Sequence, residues 1–177
     1  LAVARDLFHR HGIRAVGVET IAEAAGTNKM TLYRHFPSKD ELVAECLRGW
    51  SQEALADWDR LAERLPGDPR GQLMAWLDHA SAHDGSANRG CAIANAAVEL
   101  PDHDHPARRV IEADRCAQRQ QVVRLCTEAG LAEPEMLADT LFLMIEGARV
   151  SLQSVGEEGP GARLLPLARN LIDAHAR

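Results

Sequence analysis

The stretch from Thr20 to Phe36 carries the side chains with the clearest chemistry: Thr20, Asn28, Lys29, Thr31, Tyr33, Arg34 and His35, with Lys39 close behind. Asn pairs bidentately with adenine, Lys reaches guanine acceptors, and a Thr methyl meets the thymine methyl. Thr20, Tyr33, His35 and Lys39 are of the types that hold phosphate oxygens, which set register rather than sequence preference. A competing chemistry is metal-assisted hydrolysis on His79 and His83, four apart on one helix face, with Asp102 as a third ligand. No Glu stands between the two histidines in the HExxH pattern, and Asp102-His103-Asp104-His105 reads as a polar loop leading into a helix. There is no GxSxG, Gly-rich phosphate loop or paired catalytic carboxylate set. The expectation is therefore a protein that is not an enzyme and needs no metal or cofactor.

The elements that must position these residues read as helix throughout. Aromatic residues are only 4%, β-branched alternation is missing, and Ala, Leu, Arg and Glu fill the long segments. Ala4, Leu7, Phe8 and His11 make one helical stripe that Gly12 stops. Thr20-Ile21-Ala22-Glu23 reads as a capping box for a helix that Gly26 ends, and a short helix runs from about Asn28 to Arg34. Two short helices joined by a Gly turn form a helix-turn-helix pattern, whose second helix enters the major groove, here with Leu32 and Phe36 packing inward. Ser38-Lys39-Asp40-Glu41 is a second capping box, opening a long helix to about Leu65. Further helices are expected from Asp68-Pro69 to about His83, over Cys91–Leu100 (almost wholly apolar, hence buried), from Pro106 to Gly130, over 134–155 and over 161–175.

Composition and charge agree with such a partition. The chain has 177 residues, a net charge of −6, 26% charged and 46% hydrophobic residues, the profile of a folded globular protein. No apolar run approaches membrane-spanning length, and Leu1–Arg10 lacks the pattern of a signal peptide. Residues 1–50 hold seven Lys and Arg against six Asp and Glu, including both lysines of the chain, while the remainder is acidic. One end is thus suited to approach phosphate. Cys46, Cys91, Cys116 and Cys126 lie far apart with no CxxC pair, which favours a reducing cytoplasm over a disulfide framework or zinc finger. Cys91, at a helix N-terminus, is either an oxidant sensor or an inert buried thiol.

Residues 1–48 resemble the DNA-binding domain of TetR-family transcriptional regulators. The matching segments are Ala4-Arg5-Asp6-Leu7-Phe8 with Gly12, then Thr20-Ile21-Ala22-Glu23-Ala24-Ala25-Gly26, and above all Lys29-Met30-Thr31-Leu32-Tyr33-Arg34-His35-Phe36-Pro37-Ser38-Lys39-Asp40-Glu41-Leu42. The resemblance implies an all-α protein: a three-helix helix-turn-helix domain over 1–48, then a larger helical effector-binding and dimerisation domain over 49–177. It implies a homodimeric regulator, usually a repressor, bound to a palindromic double-stranded operator and released by a small-molecule effector. Tyr33, His35, Lys39 and Thr20 are implied as phosphate contacts, and Asn28, Lys29 and Thr31 as base readers. Thr27 replaces a small apolar residue usual in the family, and Asn28 replaces a frequent Ser or Thr. The chain opens inside its first helix, so a basic N-terminal arm is expected to lie outside it.

Past Leu47 the resemblance weakens, although Arg89 to Leu100 and Asp104-His105-Pro106-Ala107 are similar to one family subtype. It implies an effector held by the middle helices and a dimer seam on about 134–155 and 161–175. Phe142, off the main stripe of its helix, suggests a second covered face. The candidate effector residues are Trp58, Met74, Trp76, Asn95 and Met144. Each has a plainer role open to it, core packing for Trp and Met and a backbone bond for Asn95. Glu146 and Arg149 are spaced to pair with each other. An architectural DNA binder without an effector is the remaining alternative. The long helix opened by Ser38 is the expected lever between effector and DNA.

Overall fold

Gly and Pro breakers between Ala-, Leu- and Arg-rich segments divide the chain into helices, as the sequence predicts. The computed structural model describes residues 1–81 and 89–176. Among them are nine α-helices: α1 (Ala2–His11), α2 (Val18–Ala24), α3 (Lys29–His35), α4 (Lys39–Arg64), α5 (Pro69–Ser81), α6 (Ala92–Glu99), α7 (Pro106–Glu128), α8 (Pro134–Val155) and α9 (Leu164–Ala174). No helix among the described residues is long and apolar enough to cross a membrane.

The helices gather into two compact units, 1–53 with 85–114 and 54–84 with 115–177. In the first, α1 to α3 and the start of α4 pack with α6 and the start of α7 around Phe8, Ile21, Leu32, Val43, Leu47 and Ile111. In the second, Leu73, Leu77, Val122, Leu125, Leu141 and Ile172 form the centre. Each buried Leu or Ile stabilises its unit by roughly 1.5–3 kcal/mol, which explains why the apolar stripes, rather than local caps, fix where the helices lie.

The helix boundaries show both rules at work. Ser38 caps α4 as expected, its Oγ accepting from Glu41 N at 3.1 Å. Asp68 caps α5 through Gly71 N at 2.8 Å. The Thr20–Glu23 capping box, however, does not form: α2 begins at Val18 after an extended Gly17, and Thr20 lies inside the helix. Burial of Val18, Ile21 and Ala22 on the core overrides the local signal. The Cys91–Leu100 segment is shorter and less buried than its composition suggests. It buries Ile93, Ala96 and Leu100 but leaves Val98 83% exposed, because a single helix face meets the core. The expected last helix opens with a 3-10 turn over Pro160–Arg163 before α9 starts.

Phe142 marks a second covered face of α8, as expected, half-buried against the core of the second unit. Phe142 turns back to Trp76, with ring centroids 5.5 Å apart. The outward apolar residues are Met136, Leu143 and Val150. Arg149 meets Glu146 at 3.0 Å, as the spacing predicts, and Arg115 of α7 shares that carboxylate at 3.3 Å.

Candidate nucleic-acid interface

The turn between α2 and α3 is built by the backbone. Thr27 N donates to Ala22 O at 2.9 Å and Gly26 N to Glu23 O at 3.0 Å, the paired bonds of a Schellman motif. Gly26 adopts φ +65° with open space where a Cβ would stand, so glycine is needed there for its conformation and not for room. α3 then starts at Lys29 behind Asn28, whose Oδ1 accepts from Thr31 N at 2.9 Å. The sequence places Asn28 in the helix; the structure places it at the N-cap. A bidentate adenine contact would share its oxygen with that cap.

Leu32 is buried and Phe36 packs partly against the same core, which leaves the opposite face of α3 outward. Lys29, Tyr33, Arg34 and His35 are exposed there and Thr31 is half-exposed, while Thr20 is exposed on α2. Lys29 does not stand alone: its ammonium pairs with Glu19 of α2 and sits 5.8 Å from the centroid of the Tyr33 ring. The pairing holds the Glu19 carboxyl below its usual range and raises the Lys29 ammonium. Glu19 has no place in the sequence-based set, since an acidic residue there looks like ordinary helix-start chemistry.

Lys39 occupies a different setting from the other basic residues. Its Nζ donates to the Ile13 carbonyl at 2.6 Å, and the Ile13 N–H donates to Glu99 Oε2 at 2.7 Å. Arg14 N donates to the same oxygen at 3.2 Å. The α1–α2 turn is thus held from both sides of one residue. Gly12, at φ +88°, makes this approach possible, because a Cβ there would lie 2.9 Å from Arg89 Nη1 and 3.1 Å from Glu99. Asp40 in the first turn of α4 meets His105 Nε2 at 3.3 Å.

The effector candidates divide between the two units. Asn95 belongs to the first unit, where its Nδ2 donates to Arg89 O at 2.7 Å. Trp58, Met74, Trp76 and Met144 belong to the second and join its core. Trp58 and Trp76 stack at 5.4 Å with an interplanar angle of 25°. Trp58 Nε1 donates at 2.7 Å to Gln118 of α7, a buried amide that the sequence reading passed over as one polar position among many on that helix. His79 is exposed and lies 3.7 Å from Asp57; His83 lies outside the described residues. Among the described residues no group of three His, Cys, Asp or Glu could hold a metal ion.

Comparison with known proteins bears on this arrangement. Residues 1–46 match the family model described as bacterial regulatory proteins, tetR family. The repressor KstR2 of Rhodococcus jostii is 48% identical over 50 residues, covering 28% of this chain and 24% of that protein, so the chain matches about a quarter of that relative's length. The crystal structure of SCO4454, a TetR-family transcriptional regulator from Streptomyces coelicolor, superposes with a TM-score of 0.90 at 25% identity, covering 99% of this chain and 93% of that one. Residues 1–46 are a TetR-family DNA-binding domain. A further TetR-like fold, a transcriptional regulator from Saccharomonospora viridis in complex with choline, has a TM-score of 0.81 at 20% identity, covering 97% and 92%.

The α2–turn–α3 segment lies wholly within those matched residues. Glu19, Glu99 and Gln118 are residues that sequence patterns did not flag. Glu99 had a signal, as the one acid in an apolar segment; its backbone partners Ile13 and Arg14, more than eighty residues away in sequence, were not readable.

Proposed function

We propose that this TetR-family protein is a dimeric repressor that binds a palindromic operator and releases it when a small-molecule effector binds. The observation that supports it most directly is the outward face of α3, where Lys29, Thr31, Tyr33 and Arg34 stand clear of the core behind the Asn28 cap. In this reading Asn28, Lys29 and Thr31 meet base edges. Thr20, Tyr33, Arg34, His35 and Lys39 hold phosphate, with Lys39 positioning the α1–α2 turn as well. Residues 1–48 serve as the DNA-binding domain and 49–177 as the effector and dimer domain.

A two-fold assembly is favoured by α8 and α9. Met136, Thr140, Leu143, Gly147, Val150 and Ser154 follow alternating steps of three and four along α8, with Leu143 75% exposed. Arg163, just before α9, and Leu167, Asn170 and Ala174 within it repeat that spacing, all exposed. Such a seam suits packing against the same two helices of a second copy. Repression rather than activation is favoured by the likeness to the repressor KstR2, and a small-molecule effector is favoured by the choline held by the S. viridis protein. Effector binding would shift the population toward a spacing of reading helices that misses half-sites roughly 34–36 Å apart, with α4, which carries both Lys39 and Trp58, as the lever.

The test is selection from a randomised duplex pool, followed by titration of the winners and of random duplex at two salt concentrations. An enriched palindrome bound far more tightly than random DNA is the expected result. Absence of enrichment from a folded dimer would reject the operator reading.

A further inference from the structure

Gln118, in the second unit, is only 7% exposed. Its Oε1 accepts the Trp58 indole N–H at 2.7 Å. An indole nitrogen only donates, so turning the amide over would set donor against donor. The orientation is therefore fixed, and it leaves Gln118 Nε2 a buried nitrogen with no hydrogen-bond partner among the described residues. Buried donors are nearly always paired, so an orphan in this position asks for an acceptor that the described residues do not supply. Trp58 begins a run of aromatic faces from three other helices. Trp58 of α4 stacks on Trp76 of α5 at 5.4 Å, and Trp76 meets Phe142 of α8 at 5.5 Å. Met74 and Met144 are half-buried against the same core, and their unbranched side chains repack readily around a guest.

We propose that Gln118 Nε2 is the polar anchor of the effector site, and that the effector is a planar, uncharged molecule presenting one acceptor oxygen, such as an aryl ketone or lactone. The inference rests on the effector reading above. Flat aromatic walls select a flat apolar body, and the lone N–H donor selects a carbonyl oxygen. A cation would meet the positive end of that N–H dipole. A carboxylate would be buried without a cationic partner among these residues, which is costly.

The full chain is titrated with 2-acetonaphthone and with 2-ethylnaphthalene, which lacks the oxygen, and with choline as a cationic comparison. Tryptophan emission reports binding, and the Gln118 side-chain amide signal in a 15N spectrum, assigned through Gln118→Met, reports the contact. The ketone is expected to bind about tenfold more tightly than the hydrocarbon and to shift the Gln118 amide. In Gln118→Met that ratio falls to about one. If the single variant does not fold, Trp58→Phe/Gln118→Met removes both partners of the existing bond, a change expected to be far gentler, and the ratio is read there. No ketone binding, equal hydrocarbon binding, tighter choline binding, or a ratio unchanged in the variants overturns the assignment. Operator affinity is measured in parallel. A ketone held through Gln118 that leaves operator affinity unchanged supports the site and overturns the effector reading. A compound that releases operator equally from wild type and Gln118→Met overturns the site and supports that reading.

Discussion

The Lys39 ammonium donates to the Ile13 carbonyl across 2.6 Å. A residue of the type that binds phosphate is therefore also an internal brace, tying the first residue of α4 to the turn between α1 and α2. Glu99 holds the amide of the same residue at 2.7 Å, so the Ile13 backbone is fixed on both its donor and its acceptor side.

Lys39→Ala should then have two effects. It should lower stability by about 1–2 kcal/mol, since a bond from a charged donor is lost in a half-buried setting. It should also weaken binding to operator and random duplex alike, with a shallower dependence on salt. Thermal melts and titrations at two ionic strengths read both; a loss confined to operator DNA would contradict the prediction.

Asn28 caps α3 and faces the proposed DNA surface, and two substitutions separate these duties. Asn28→Ala should cost about 1 kcal/mol of stability through the lost cap, and should relax base preference at one position per half-site. Asn28→Ser keeps a capping oxygen and should restore stability without restoring that preference. Equal behaviour of the two variants on a panel of operator point variants would show that Asn28 reads no base.

Glu19 pairs with Lys29 on the outward face. Removing its charge in Glu19→Gln should free the Lys29 ammonium for base edges and raise affinity for operator several-fold, with a smaller gain on random duplex. Discrimination between operator and random DNA should rise in consequence. Equal gains on both would mean that Lys29 reads no base.

Thiol reactivity should follow burial. Cys46 and Cys126 are buried and their thiols are pushed up to about 11, so both stay protonated and shielded near pH 8. Cys116 is exposed and should react with a thiol reagent in the native protein, a signal that Cys116→Ser removes. Cys46 and Cys126 should react only after denaturation.

Acid sensitivity has a definite sign. Glu53, paired with Arg5, and Asp139, paired with Arg119, are both held below their usual ranges. A depressed carboxyl supports the fold above its unfolded pKa, near 4, and that support fades as pH drops through the lower folded value. Glu53→Gln and Asp139→Asn should each flatten the fall in stability below about pH 4 and leave the neutral-pH slope alone. A slope change near pH 6 to 7 would point to histidine instead. Separately, Leu143→Glu on the exposed face of α8 should convert a dimer to a folded monomer in sedimentation, because that side chain touches little in its own chain.

Much of the architecture was legible because its signals are local. Gly12, Gly26, Ser38 and Asp68 act on the backbone within a few residues, so each helix stop or start they mark is present in the structure. The exception, Thr20, fails for the reason that burial of Val18, Ile21 and Ala22 outweighs a side-chain cap. The outward face of α3 was legible too, since Leu32 and Phe36 must turn inward and their neighbours must then turn out.

Local pattern by itself determined the helical class, the helix-turn-helix segment and its basic outward face, because periodicity and caps depend on residues three or four apart. Tertiary structure alone decided which partners those side chains find. Lys39 meets Ile13, Glu99 reaches back to the same turn, and Trp58 turns the Gln118 amide so that its nitrogen is left over. Each pairing joins residues far apart in sequence, where no period links the two and only chain folding brings donor to acceptor.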